Sequence, residues 1–149
     1  MTRYIKTAAG IFLLLFLFGC KQAPLHPANA FRTAVVWSNG TVTVSGVLQK
    51  TAGTYLLRLT APREIGSVEF QLANGRLTAR YNGLTAHRPA SRAVDAPLVQ
   101  IAALLEEIPQ NARQTTDGCR YRVNKCTVEL DADGVPRQII TPDWQAEFT

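Results

Sequence analysis

Strict two-residue alternation of apolar and polar side chains, broken by tight-turn sequences, runs from residue 31 to residue 83. Alternation of this kind gives a β-strand one face that can be buried and one that stays hydrated. Asn39-Gly40, Asn74-Gly75 and Asn82-Gly83 are strong hairpin signals, and they separate the alternating runs. The pattern predicts antiparallel strands that follow one another in a meander, with one dry face and one wet face.

Five strands are predicted before the period changes. They cover residues 31–38, 41–49, 55–60, 68–72 and 77–81, and Asn82-Gly83 closes the run. Five arginines lie opposite the predicted dry face, counting those of a later pair of strands: Arg58, Arg76, Arg80, Arg120 and Arg122. They are interpreted as a solvated sheet face, or as a basic surface that meets an acidic partner or anionic lipid headgroups.

Helical spacing replaces the alternation after residue 94. Asp95 is the predicted N-cap, Pro97 lies in the first turn, and Pro109 ends the helix. The apolar stripe consists of Leu98, Ile101, Ala102, Leu105 and Ile108. Because most of this helix surface is apolar, the helix must pack into the rest of the domain.

Alternation returns near the C-terminus. Residues 110–118 are predicted to form a loop, followed by two to four strands drawn from residues 120–123, 126–130, 137–140 and 145–148. A long meander with one dry face and a single apolar helix indicates a mainly-β α+β domain, a curved antiparallel sheet wrapped round the helix.

Three stretches carry a family resemblance. They are residues 55–62, residues 66–75 continuing to Tyr81-Asn82-Gly83-Leu84, and the return strand that begins Asp133-Gly134-Val135-Pro136. In this order, with an inserted helix, they resemble the LolA/LolB superfamily of lipoprotein carriers, and small LolA-like lipoproteins of Gram-positive bacteria. The resemblance implies a half-open barrel over residues 31–149. Its motifs are turns and strand edges, so it implies no functional residue.

The N-terminus has the pattern of a secretory signal. Arg3 and Lys6 precede an uninterrupted apolar run, Ile11–Phe18, which is shorter than the roughly 20 residues that a membrane-spanning helix needs. Leu17-Phe18-Gly19-Cys20 resembles a bacterial lipobox, which implies cleavage after Gly19 and a diacylglycerol on the Cys20 thiol. The alternatives are an uncleaved N-terminal anchor and an ordinary buried cysteine.

Cleavage there would leave a small exported domain. Residues 1–19 are then the signal peptide and residues 20–30, with two prolines and no periodicity, are the lipidated cysteine and a short tether. The remaining 130 residues suit one domain, and loss of Arg3 and Lys6 lowers the formal net charge from +5 to +3. This modest excess does not indicate a nucleic-acid partner. The predicted location is the extracytoplasmic face of the cell membrane, or the outer membrane of a Gram-negative source.

Cys119 and Cys126 are candidates for a disulfide, because export favours oxidation. If Asn124-Lys125 is a two-residue turn, Val123 pairs with Cys126 and the thiols are roughly 13 Å apart, too far to bridge. A six-residue loop over residues 120–125 would instead place the cysteines opposite each other. The sequence leaves both arrangements open.

Catalytic and metal-binding patterns are not found in the sequence. His26 and His87 are far apart without ligands at metal spacing, and there is no nucleophile elbow, His-Glu-x-x-His motif or phosphate loop. We therefore expect a non-enzymatic protein without cofactor or metal.

Two functions are compatible with this sequence. The first is a membrane-tethered accessory module that binds a protein of the cell envelope. The second is a carrier of lipid or of lipoprotein acyl chains on the concave face of the sheet. The candidate lining of such a face is Tyr55, Leu57, Phe70, Tyr81 and Leu105.

Overall fold

A computed structural model of the chain describes residues 24–149. In this range eleven strands form one antiparallel sheet, accompanied by one α-helix and two 3-10 turns. The first six strands are β1 (Phe31–Ser38), β2 (Thr43–Thr51), β3 (Thr54–Ala61), β4 (Val68–Ala73), β5 (Arg76–Tyr81) and β6 (Leu84–Pro89). The helix α1 (Pro97–Glu106) follows, and then β7 (Gln110–Thr115), β8 (Gly118–Val123), β9 (Cys126–Asp131), β10 (Pro136–Ile140) and β11 (Gln145–Phe148).

The sheet consists of two meanders joined through the chain ends of the domain. Its strand order is β6-β5-β4-β3-β2-β1-β11-β10-β9-β8-β7. The pairing of β1 with β11, in which Val35 lies opposite Phe148, connects the two halves. The sheet does not close, and β6 and β7 are its two edges. The mainly-β α+β class and the antiparallel meander are therefore confirmed.

Tight turns set the register of the first meander. Both residues of Ala52-Gly53, Asn74-Gly75 and Asn82-Gly83 have positive φ, as the type I′ turn requires. This turn matches the twist of the strands it connects, so each hairpin is continuous with the next. The five predicted strands of this half are all present, and no end is displaced by more than two residues.

The sequence-based prediction misses both edge strands. Asn82-Gly83 was expected to end the meander, but it turns the chain into β6. Residues 110–118 were expected to form a loop, but residues 110–115 form β7. An edge strand that lies beyond the core is exposed on both faces, so its sequence has no need to alternate: β6 is exposed throughout and β7 nearly so.

The helix has the predicted buried stripe, but it begins later and ends earlier than predicted. Leu98, Ile101, Ala102 and Leu105 are buried, as expected. Asp95 is not the N-cap: Ala96 takes that position, with no side-chain cap, because the ring of Pro97 forces the preceding residue into an extended conformation. Ile108 lies beyond the last helical residue and is 82% exposed, so its assignment to the stripe is wrong.

One hydrophobic core joins the helix to both halves of the sheet. We call the sheet face that bears this core the inner face. Its most deeply buried members include Leu48 on β2, Ile101 on α1, Val128 on β9 and Ile139 on β10. The opposite, outer face bears most of the charged side chains of the sheet.

The segment before β1 lies against the turn between β9 and β10. The amide of Ala28 donates to the carbonyl oxygen of Gly134 at 2.9 Å, and Pro27 is buried. A Cβ on Gly134 would come within 2.9 Å of Cγ of Pro24. Residues 24–30 of the predicted tether therefore contact the domain. The predicted signal peptide, Cys20 and residues 21–23 lie outside the described residues.

Candidate functional site

The five candidate ligand-face residues divide into two groups. Tyr55, Leu57 and Leu105 are buried in the core. Phe70 is half-buried, and Tyr81 is 41% exposed at the end of the β5–β6 hairpin. Register places the sheet members on one face, since Leu57 pairs with Phe70 and Val68 pairs with Tyr81. The structure thus brings three of the five together as buried core, packs Phe70 against that core and leaves Tyr81 at the rim.

A polar cluster lies at the C-terminal end of α1, on the inner face. Nζ of Lys50 is 2.8 Å from Oε1 of Glu106, and the hydroxyl of Tyr55 donates to the same oxygen at 2.5 Å. The ammonium group of Lys50 also lies 5.3 Å from the centroid of the Tyr55 ring, within cation–π range. These three side chains join β2, β3 and the helix, and we call them the Lys50–Tyr55–Glu106 cluster.

Electrostatics within the cluster favour a charged carboxylate. The hydrogen bond from Lys50, followed by that from Tyr55, lowers the pKa of Glu106 below its usual value of 4.5. Burial, with a smaller effect from Glu106, raises the pKa of the Tyr55 hydroxyl, so this hydroxyl stays protonated and acts as a donor. Such an arrangement holds a charge in place, but it presents no free base or nucleophile.

Tyr121 approaches the same cluster from β8. Its pKa is raised, first by burial, with contributions from Cys119 and Glu106. The Tyr121 hydroxyl is buried and has no hydrogen-bond partner among the described residues. A phenol inside the core therefore adds packing beside Glu106 without completing the polar network.

Two open clefts flank the helix. One, of about 320 Å³, lies between the β5–β6 hairpin and the start of α1, and is lined by Leu77, Ala79, Ala86, Ala93 and Ala96 among others. The other, of about 300 Å³, lies between the Asn74-Gly75 turn and the helix. Tyr55, Leu72, Val99 and Glu106 contribute to its walls. Both are at the low end of the usual size of ligand pockets.

The five arginines lie on the outer face, but three of them are neutralised. Glu69 binds Arg58 at 2.7 Å and Arg80 at 2.9 Å, and Glu129 binds Arg120. The guanidinium groups of Arg58 and Arg80 lower the pKa of Glu69. The basic surface expected along β3–β5 is therefore largely paired.

The hairpin β8–β9 has the register of the two-residue turn. Val123 pairs with Cys126 and Cys119 pairs with Leu130, and both cysteines are free thiols. Asn124 enters the turn with a φ of 54°, so the six-residue loop that would bring the two thiols opposite each other does not form. Burial raises the pKa of both thiols, which lowers their reactivity.

No cluster of three or more His, Cys, Asp or Glu side chains within residues 24–149 could hold a metal ion. In the same part of the chain, no helix has the length and apolar character needed to cross a membrane.

No protein-family model matches the chain, and no curated protein sequence matches it.

Sequence analysis did not find the Lys50–Tyr55–Glu106 cluster. One signal was present: Lys50 has the strand parity of Val44 and Leu48, which places a lysine on the dry face. A lysine there needs a partner of opposite charge. The partner itself could not be identified, because Glu106 lies off the apolar stripe of a helix 56 residues away in sequence.

Proposed function

We propose that this protein is a membrane-anchored, extracytoplasmic lipoprotein that acts as a non-catalytic accessory module for a protein of the cell envelope. The N-terminal pattern that ends at Cys20 supports the anchor. The short distance from Cys20 to the docked segment supports close attachment to the bilayer, since four backbone steps from residue 20 to residue 24 span at most roughly 14 Å.

The finer architecture belongs to the same proposal: a half-open barrel of the LolA/LolB type, with α1 as its plug. Tyr55 on β3 and Tyr121 on β8 both lie within electrostatic range of Glu106 at the end of α1. These strands belong to different halves of the sheet. Proximity of both halves to the helix end supports a sheet that curves round α1.

The observation that carries the functional proposal is the filled interior beneath the helix. Leu98, Ile101 and Leu105 pack into one continuous core with the sheet. A carrier of acyl chains needs a continuous apolar cavity at this position. The inner face instead continues past the helix to an exposed rim, where Tyr81 pairs with Leu84. An exposed apolar pair beside a filled core suits contact with a protein surface.

A carrier of hydrophobic ligands is the second candidate. The two clefts beside α1 favour it, since that at the Asn74-Gly75 turn is lined mainly by apolar side chains. Displacement of the helix would join these clefts to the interior. The LolA/LolB resemblance favours the same alternative.

Measurement of bound lipid separates the two functions. The full chain is expressed in a bacterium, extracted from membranes in detergent and titrated with a fluorescent fatty acid. The variant Ala103→Trp fills the cleft beside α1, since Ala103 is one of its lining residues. Val36→Trp on the exposed outer face is the matched control.

For an accessory module we expect no saturable fatty-acid binding and no difference between the two variants. A photo-reactive residue at position 84 should also give one discrete protein adduct in intact cells, whereas the same group at position 36 should give none. Stoichiometric fatty-acid binding that Ala103→Trp abolishes would replace the module with the carrier.

A further inference from the structure

The outer face of the β7–β8 edge contains a polar cleft of about 480 Å³. It is lined by Asn111, Arg113, Arg120, Tyr121, Arg122 and Thr127. Register explains why three arginines line one cleft: Arg113 lies directly opposite Arg120, and Gln110 lies opposite Arg122. We call this feature the arginine cleft.

A β-bulge shapes the edge of the arginine cleft. The register of β7 against β8 shifts between Gln110 and Arg113, and Asn111 has a φ of 51°. A bulge inserts a residue and re-aims the side chains that follow it. At this position it sets Arg113 opposite Arg120.

The arrangement opposes fold stability. Two like charges that face each other across neighbouring strands are destabilising. Glu129 pairs with Arg120, but no ion pair among the described residues involves Arg113 or Arg122. Two of the three guanidinium groups are thus left without a counter-charge inside a concave surface.

We propose that the arginine cleft binds a phosphate group. A planar guanidinium donates two parallel hydrogen bonds to phosphate oxygens, and a phosphate in the cleft would supply the counter-charge that Arg113 and Arg122 lack. The phosphate can belong to an anionic lipid headgroup or to a soluble phosphate chain. The cleft would bind phosphate whether or not Cys20 carries a lipid, so this inference goes beyond the accessory function.

Labelled inorganic polyphosphate is the probe. The full chain in phosphatidylcholine vesicles is titrated at about 0.15 M salt, where charges farther apart than about 8 Å are largely screened. Arg113→Gln with Arg122→Gln should weaken binding at least about tenfold, since hydrogen bonds between charged groups contribute the most.

The control has the same loss of charge at another place. Arg32→Gln with Arg76→Gln removes two exposed arginines of β1 and β5, and should weaken binding less than about threefold if long-range attraction is all that is lost. The double variant Arg113→Gln with Arg122→Gln should also keep or raise the melting temperature, because it removes the like-charge pair of Arg113 and Arg120. The melting temperature thus shows whether a low affinity results from unfolding or from loss of the binding site.

A further variant should increase the affinity for polyphosphate. Glu129→Gln releases Arg120 and should tighten polyphosphate binding, whereas Glu64→Gln, with the same charge change on an exposed turn, should not.

The same titration in vesicles that contain phosphatidylglycerol identifies the source of the phosphate. If headgroups occupy the cleft, the difference between wild type and Arg113→Gln with Arg122→Gln shrinks; if it persists, the ligand is a soluble phosphate. Equal weakening by the cleft and control pairs, or no measurable binding in either vesicle, would overturn the proposal.

Discussion

Nζ of Lys50 lies 2.8 Å from Oε1 of Glu106, and this ion pair fastens the end of the only helix in residues 24–149 to the sheet. The two partners differ in environment. The side chain of Lys50 is 7% exposed, whereas that of Glu106 is 56% exposed. Since the N-cap also lacks a side-chain bond, the contacts of Glu106 with Lys50 and Tyr55 attach the helix to the sheet at its C-terminal end.

The two halves of the ion pair should not be equivalent on mutation. Glu106→Ala leaves a buried ammonium group without its counter-charge and should cost about 2 kcal/mol of unfolding free energy. Lys50→Met leaves a carboxylate that water can reach and replaces a buried charge by an apolar chain, so it should cost about 1 kcal/mol or less. Chemical denaturation of both variants measures the difference. A larger loss for Lys50→Met would contradict this account.

Stability should fall in acid partly through Glu106. Because Lys50 holds the pKa of Glu106 in the folded protein below its usual 4.5, the stabilisation is complete above that value. It is lost as the pH falls through 4.5 toward the folded-state pKa. Denaturation midpoints measured between pH 7 and pH 3 should decrease less for Glu106→Gln than for wild type. Glu69 also has a lowered pKa, so a residual decrease should remain.

Gly134, in the turn between β9 and β10, should be the glycine most sensitive to substitution where residues 24–30 contact the domain. Its φ is +80°, and an added Cβ would contact Cγ of Pro24 and the amide of Ala28. Gly134→Ala should therefore destabilise the domain by about 1–2 kcal/mol and speed amide exchange in residues 24–30. Gly40→Ala is the control, because Gly40 has a φ of +84° with nothing within 4 Å. Equal exchange in residues 24–30 of the two variants would show that the segment is not held there.

The buried stripe of α1 gives a test of how the helix packs. Ile101 is fully buried, so Ile101→Ala should cost about 2–5 kcal/mol. Ile108→Ala, beyond the helix end, should change stability by less than about 0.5 kcal/mol. Thermal denaturation of the two variants distinguishes a helix inside the core from one that lies on the surface. Similar small effects for both would contradict the packed interior.

Local patterns were sufficient for the central strands and insufficient for the edges and the polar cluster. β1 was predicted to the residue, because Phe31, Val35 and Trp37 alternate with outward side chains between clear boundaries. β6 was missed because a strand that covers no core has no alternation to detect. The pairing of Lys50 with Glu106 depends on where the helix crosses the sheet, and no short-range pattern contains that information.

The arginine cleft shows a related limit. Arg120 and Arg122 were assigned to the outer face from parity alone. Arg113 was placed in a loop, so its position opposite Arg120 could not be foreseen. The bulge at Asn111 that creates this position depends on a left-handed backbone conformation, which asparagine tolerates but does not by itself predict.

The central claim, attachment to a membrane through Cys20, is tested most directly by the intact mass of the protein extracted from bacterial membranes in detergent. The account predicts a chain that begins at Cys20 and carries a diacylglycerol on its thiol, and an unmodified, uncleaved precursor for Cys20→Ser. A wild-type chain that retains residues 1–19, or one that has an unmodified Cys20 thiol, would contradict it.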